Sequence, residues 1–315
     1  MTLRNSLFAV SGKASFMDAR RDMSGLFVCS KNTMMPIAGI LDRSQDNLVT
    51  GNSDSMRVTV HPFNAVLNRY GALLIQNDGD VKVPLAASPS ANSRIDVVYV
   101  KQNEKRSPMS DSSDVPEFGV ANGVAAATPV APSVPAGALA LAQVLLPAGV
   151  SNTAAAGVVI TQTYVGAAMK GNMLQVQTSA QRDAMTMVPE GTLLHNVADD
   201  CDYVRTPSGK WAKIRDTIRV KAPYTNDTWG LSREWDTVLV NGNAKYDASS
   251  QNNYTTAKET IPAGWRPYGE NGIVGAINVG WCNYVQPDGH ITMLGNTNAS
   301  YSGITGGWQC KEWRK

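Results

Sequence analysis

The chain has 315 residues, with 28 Lys and Arg against 26 Asp and Glu, for a formal charge of +2. Only 17% of residues are charged and no run of Lys and Arg stands out, so no phosphate-backbone footprint is signalled and no nucleic-acid partner is expected. The 43% hydrophobic content suffices for two or three domains, while the longest apolar stretch, Gly137–Val150, is interrupted by Gln143 and Pro147 and is too short for membrane insertion.

In chain order, Met1–Val10 has no long apolar run of the secretory kind, and residues 1–40 carry no pattern that assigns them a role. Residues 1–115 read as β. Met56–Phe63 alternates apolar and polar, as a half-buried strand does. Gly71–Gln76 is a second strand, ending at the turn signal Asn77-Asp78-Gly79-Asp80 before Val81–Pro84. Arg94–Val100 alternates again and is rich in Val, Ile and Tyr.

Residues 106–137 shift to Pro, Ala, Ser and Gly. Such a composition suits an extended linker or an irregular segment lying on the same domain. The second reading is favoured, because the apolar run Ala138–Leu146 needs the first sheet to cover it. Thr178-Ser179-Ala180-Gln181 fits a capping box, and Ala180, Ala184, Met187 and Val188 follow at helical spacing until Pro189-Glu190-Gly191. That narrow stripe suits either copies meeting at an axis or a short helix packed on its own domain.

Residues 191–214 read as a small meander with turns at Asp199-Asp200 and Thr206–Gly209. From residue 215 onward strands and turns alternate. Thr237–Val240 ends at Asn241-Gly242, a hairpin signal. Ile273–Val279 and Trp281–Val285 precede a turn at Pro287-Asp288-Gly289, which feeds His290–Leu294. Short strands at even spacing predict a sandwich or jelly roll. The expected fold is therefore mostly β. It comprises an N-terminal β-sandwich over 1–168, a short helical and β-meander neck over 169–214, and a C-terminal jelly-roll-like β-sandwich head over 215–315.

Aromatic residues are segregated. All seven tryptophans lie at or after Trp211, as do most of the tyrosines. The aromatic-rich end is the natural place for recognition, since flat rings bury much area at low entropic cost.

Several segments resemble tail-tip proteins of tailed bacteriophages. Asn92–Val100 resembles a strand of baseplate and minor tail proteins of phages infecting Gram-positive bacteria. Pro135–Val144, with Pro147-Ala148-Gly149, is similar to the segment that follows it there. Ile261-Pro262-Ala263-Gly264-Trp265-Arg266-Pro267 and Pro287–Ile291 resemble a pattern of phage C-terminal head domains, with Trp265 in place of the commoner Tyr or Phe. The Gly191–Ile214 meander is similar to the hairpins that join such modules. The resemblance implies a receptor-binding protein at the virion tail tip, assembled in the host cytoplasm. It implies a homotrimer whose N-terminal domain contacts other tail-tip and baseplate proteins, and whose head binds a host cell-wall glycan for adsorption.

Enzymatic signatures are sparse. Three histidines, His61, His195 and His290, have no GxSxG, HExxH or P-loop beside them. The expected reading is a non-enzymatic protein with no catalytic residue, no cofactor and no metal. Glu234 and Asp236 around Trp235 would share one face of a strand and form a carboxylate pair for glycoside cleavage; the competing reading is a solvated face with Trp235 in the core. Asp199, Asp200 and Asp202 are either a Ca²⁺ cluster or an exposed turn. The four cysteines, without CxxC or Cys/His spacing, read as reduced thiols, with pairing of Cys282 and Cys310 left open. Tyr224, Trp229, Tyr254, Tyr301 and Trp308 lie among Asn, Gly, Ser and Thr, which reads as loops. They are the expected sugar-binding rings, with packing between copies as the alternative for each.

Overall fold

A computed structural model describes residues 15–223, 227–244, 255–277, 280–295 and 302–311. Strands dominate, with two helices among the described residues. The chain divides into two compact units, Met1–Asp200 and Cys201–Lys315.

The first unit opens with a helix, α1 (Phe16–Ser24). The sequence reading took residues 1–115 as β, and α1 corrects it: the helix is too short for its periodicity to stand out. Its start is nonetheless written in a capping box: the Ser15 hydroxyl accepts from the Asp18 amide at 3.2 Å, and the Asp18 carboxylate accepts from the Ser15 amide at 3.0 Å. The Ser24 hydroxyl accepts from the Ala72 amide at 2.8 Å, holding α1 to the sheet. Gly71, at φ 140°, lets the chain pass there; a Cβ would lie 2.6 Å from the Arg20 backbone.

Strands β1 (Gly39–Arg43), β2 (Val49–Gly51), β3 (Arg57–Val60), β4 (Phe63–Asn68), β5 (Ala72–Asn77), β6 (Val81–Pro84), β7 (Arg94–Gln102), β8 (Pro116–Ala121), β9 (Leu139–Leu146) and β10 (Val159–Gln162) follow. They form three sheets, ordered β1-β4-β5, β2-β3-β6 and β10-β9-β7-β8. Met56–Phe63 is two strands rather than one, because the chain breaks at His61-Pro62, where proline cannot donate to a ladder. The Asn77–Asp80 turn joins β5 to β6, yet these strands pair with β4 and β3 in different sheets.

All three sheets contribute to one core, which includes Leu48, Val58, Val60, Leu67, Val98, Leu141, Val144 and Leu146. Each such side chain contributes about 1.5–3 kcal/mol by burial. The Pro- and Ala-rich region lies on this unit. Its β8 pairs with β7, and the Gly123 amide donates to the buried Asp96 carboxylate at 2.9 Å. The apolar run after it is β9, covered by β7 as expected.

Strands β11 (Leu174–Val176) and β12 (Leu193–Asn196) run parallel, with α2 (Ser179–Ala184) between them as a short crossover. Thr178 caps α2, its hydroxyl accepting from the Gln181 amide at 3.2 Å. The helix is only 6 residues long and buries none of its side chains, so the expected stripe through Met187 and Val188 is not a helical face.

The second unit begins with β13 (Cys201–Arg205) and β14 (Trp211–Lys213), an antiparallel pair. The unit boundary thus falls inside the segment expected as a neck. Then come β15 (Arg215–Lys221), β16 (Thr228–Glu234), β17 (Thr237–Ala244), β18 (Thr255–Thr260), β19 (Gly272–Ala276), β20 (Trp281–Val285), β21 (His290–Gly295) and β22 (Ser302–Gln309). They form one eight-stranded sheet, ordered β15-β16-β17-β22-β19-β20-β21-β18.

The order β22-β19-β20-β21 is a Greek key: three strands in sequence, with the fourth returning beside the first. The sheet curls until its two edges approach. Val220 of β15 and Ala257 of β18 share one core, and the Lys221 ammonium stands 3.3 Å from the Glu259 carboxylate. The fold is mostly β and of sandwich type. Asn241-Gly242 does not turn the chain; β17 runs through it, paired to β22 as far as Ala244. Asp288-Gly289 does turn it, with Gly289 at φ 91°.

Candidate functional site

The rings expected to bind sugar are placed otherwise. Trp229 lies on β16 and is 0% exposed, and Trp308 lies on β22 at 8%. Both belong to the core of the second unit, so neither offers a face to a ligand. Their polar neighbours misled the reading: in a strand those neighbours point to the opposite side. Tyr224, Tyr254 and Tyr301 lie outside the described residues. Trp265 and Trp281 are also buried in this core.

Among the described residues of the second unit, Trp235 is exposed at 41% and Tyr268 at 54%. Glu234 pairs with Thr237 across β16 and β17, so Trp235-Asp236 is a two-residue hairpin turn. This corrects both sequence readings of the region. Glu234 and Asp236 do not share a strand face, because the strand ends between them. Trp235 is not in the core either. It sits at φ 51°, a left-handed conformation that bulky side chains rarely adopt. Its amide donates to the Ile214 carbonyl at 2.9 Å, which holds the turn in place.

Beside this turn is a cleft of about 730 Å³, walled by Trp235, Leu239, Lys213, Arg215, Asp216 and Glu234, with Cys201, Thr217, Ser232, Arg233 and Thr237 completing it. The Arg215 Nε and Nη2 donate to Glu234 Oε1 at 3.0 and 2.7 Å. Both side chains are well exposed, so the pair is worth little to stability and is open to a ligand.

Arg233 forms the deeper wall. Its guanidinium stacks over the Trp265 ring at 4.6 Å and donates to the Gly264 carbonyl at 3.0 Å and the Lys213 carbonyl at 3.3 Å. Burial lowers its pKa from the usual arginine value, and the Asp216 carboxylate, 3.9 Å away, works the other way. Leu239 is 56% exposed and extends an apolar floor from the ring. The arrangement offers a flat aromatic face ringed by hydroxyl, guanidinium and carboxylate groups. Such a cleft suits a polar ligand with C–H faces.

The other singled-out groups do not assemble. No set of three metal-ligating side chains occurs among the described residues, and Asp200 sits in its turn at φ 48°. The four cysteines are free thiols. His290 is surface-exposed, with Nδ1 2.9 Å from the Asp288 carboxylate. Among the described residues, no helix is long and apolar enough to cross a membrane. No protein-family model matches the chain, and no curated protein matches it.

Proposed function

We propose that this chain is a tail-tip protein of a tailed bacteriophage, and that its second unit binds a glycan of the host envelope at the Trp235 cleft. The observation that carries the binding reading is Trp235 itself. A bulky residue in a left-handed turn costs on the order of 1–3 kcal/mol, and such strain clusters at functional sites. Here it presents an indole to solvent beside hydrogen-bonding side chains.

The phage reading rests on the segments that resemble tail-tip proteins. Asn92–Val100 and Pro135–Val144 contribute to neighbouring strands β7 and β9. Ile261–Pro267 and Pro287–Ile291 also meet, the Ile261 amide donating to the Gly289 carbonyl at 2.9 Å. Each pair is close in space although apart in sequence. In this reading the first unit docks on the baseplate and the chain assembles as a homotrimer. Three clefts then act together, raising avidity through effective concentration.

The test uses the fluorescently labelled full chain and its Trp235→Ala variant on a panel of Gram-positive cells, intact and stripped of wall polymers. Binding that falls on stripping and on substitution supports the reading. Undiminished binding by the variant moves the site away from the cleft. No binding by the unsubstituted chain to any cell overturns the adhesin reading.

A further inference from the structure

The three-stranded sheet β2-β3-β6 of the first unit has an outer face that the cleft does not use. Alternation along each strand decides which residues it carries. Val49, Val58, Val60 and Val83 point into the core, so Thr50, Thr59 and Lys82 point outward, and they are paired in one row across the sheet. His61 lies two residues beyond Thr59 and Asp80 two before Lys82, which brings both to the same face.

On that face Thr50 Oγ1 lies 2.9 Å from His61 Nε2, and His61 Nδ1 lies 2.8 Å from Asp80 Oδ1. A carboxylate only accepts hydrogen bonds, so Nδ1 carries the proton and donates to Asp80. In the neutral imidazole Nε2 is then the acceptor, and the Thr50 hydroxyl donates to it. The Gln45 amide stands farther off, 3.5 Å from Nδ1. The His61 backbone is held as well: its amide donates to the Leu48 carbonyl at 2.9 Å, and its carbonyl accepts from Asn77 Nδ2 at 3.0 Å. The ring is 8% exposed by residue, whereas Thr50 is half-buried and reachable.

We propose that Thr50, His61 and Asp80 form an acyl-transfer site that hydrolyses esters, of the class of an acyl group on an alcohol or sugar hydroxyl. The arrangement is nucleophile to base to orienting carboxylate, the geometry by which such sites are recognised irrespective of fold. Thr50 Oγ attacks the ester carbonyl while its proton passes to His61 Nε2. The ester C–O bond breaks, and His61 returns the proton to the departing alcohol. Water then attacks the acyl-threonine with the same proton shuttle, releasing the carboxylic acid and restoring Thr50. Thr50 and His61 are the catalytic residues, and Asp80 is a positioning residue that fixes the tautomer.

The test is independent of the natural ester. The full chain is treated with a fluorophosphonate, which loses fluoride as phosphorus bonds to an activated hydroxyl, and the labelled residue is located by peptide mass. Label on Thr50 is expected, together with hydrolysis of p-nitrophenyl acetate above background. Thr50→Val keeps shape and fold and abolishes both, whereas Thr50→Ser retains them. Asp80→Asn slows labelling, as loss of the correct tautomer does, and Asp80→Glu restores part of the rate, which a merely structural role does not require. An unlabelled Thr50 in the folded chain overturns the proposal, as does a labelling rate unchanged by Asp80→Asn.

Discussion

The Trp308 indole N–H donates to the Trp265 carbonyl at 2.7 Å inside the core of the second unit. This bond ties β22 to the Ile261–Pro267 segment. It also explains why Trp308 is not a ligand platform: its one polar atom is already committed indoors. Cys310 Sγ reaches the Gly264 carbonyl nearby at 3.2 Å, closing the same corner.

Trp308→Phe removes that donor and leaves a buried carbonyl short of a partner. The second unit is expected to lose about 1–3 kcal/mol. Denaturant unfolding followed by tryptophan fluorescence measures it cleanly, because all seven tryptophans lie beyond residue 210 and report on this unit alone. A midpoint unchanged from the unsubstituted chain contradicts the assignment.

Trp235→Gly has the opposite sign. Glycine adopts φ 51° without strain, so the second unit should gain about 1 kcal/mol. Under the proposed function, cell binding falls in the same variant. Stability up and binding down, measured on one preparation, would separate a strained recognition turn from an ordinary one.

In the first unit Arg94 and Asp96 are both buried on β7, with Nε donating to the two carboxylate oxygens at 2.9 and 3.1 Å. Arg94 also donates to the Ala86 and Ala87 carbonyls, each at 2.8 Å. Asp96→Ala strands a buried guanidinium and should cost about 3–5 kcal/mol. Calorimetry shows it as a lowered transition.

Acid should loosen the same unit through Asp111. A hydrogen bond from the Lys101 ammonium, then bonds from the Glu104 amide and the Arg69 guanidinium, hold its carboxyl down at about 2, against opposition from burial. An unfolded aspartate titrates near ~3.9. The folded value is the lower, so this contribution is fully present above about pH 4 and is lost as pH falls through about 2. Calorimetry at pH 5, 3 and 2 on the full chain and on Asp111→Asn should show the advantage of the unsubstituted chain shrinking with pH. An advantage that stays constant to pH 2 removes Asp111 from the acid response.

The local patterns carried much of the fold. Alternation in Arg94–Val100 and the apolar run after residue 137 marked β7 and β9, because burial on a pleated sheet imposes a period of two. The Asp288-Gly289 turn was legible for a similar reason, since few residues tolerate its backbone. Asn241-Gly242 carried an equally strong turn signal and was overruled by pairing to β22. The site was less legible. Loop-like neighbours hid Trp229 and Trp308 in strands, and Trp235 was weighed as a strand residue with its ring in the core.

By itself the sequence determined that this protein is β-rich, that its aromatic mass belongs to its second half, and that the apolar run Ala138–Leu146 needed a sheet beside it. These follow from composition and short-range periodicity, which depend on neighbours a few residues away. Tertiary structure alone decided which rings face solvent, where the chain turns between Glu234 and Thr237, and that Thr50, His61 and Asp80 meet on one face. Those outcomes depend on strand pairing and sheet curl, which join residues distant in sequence.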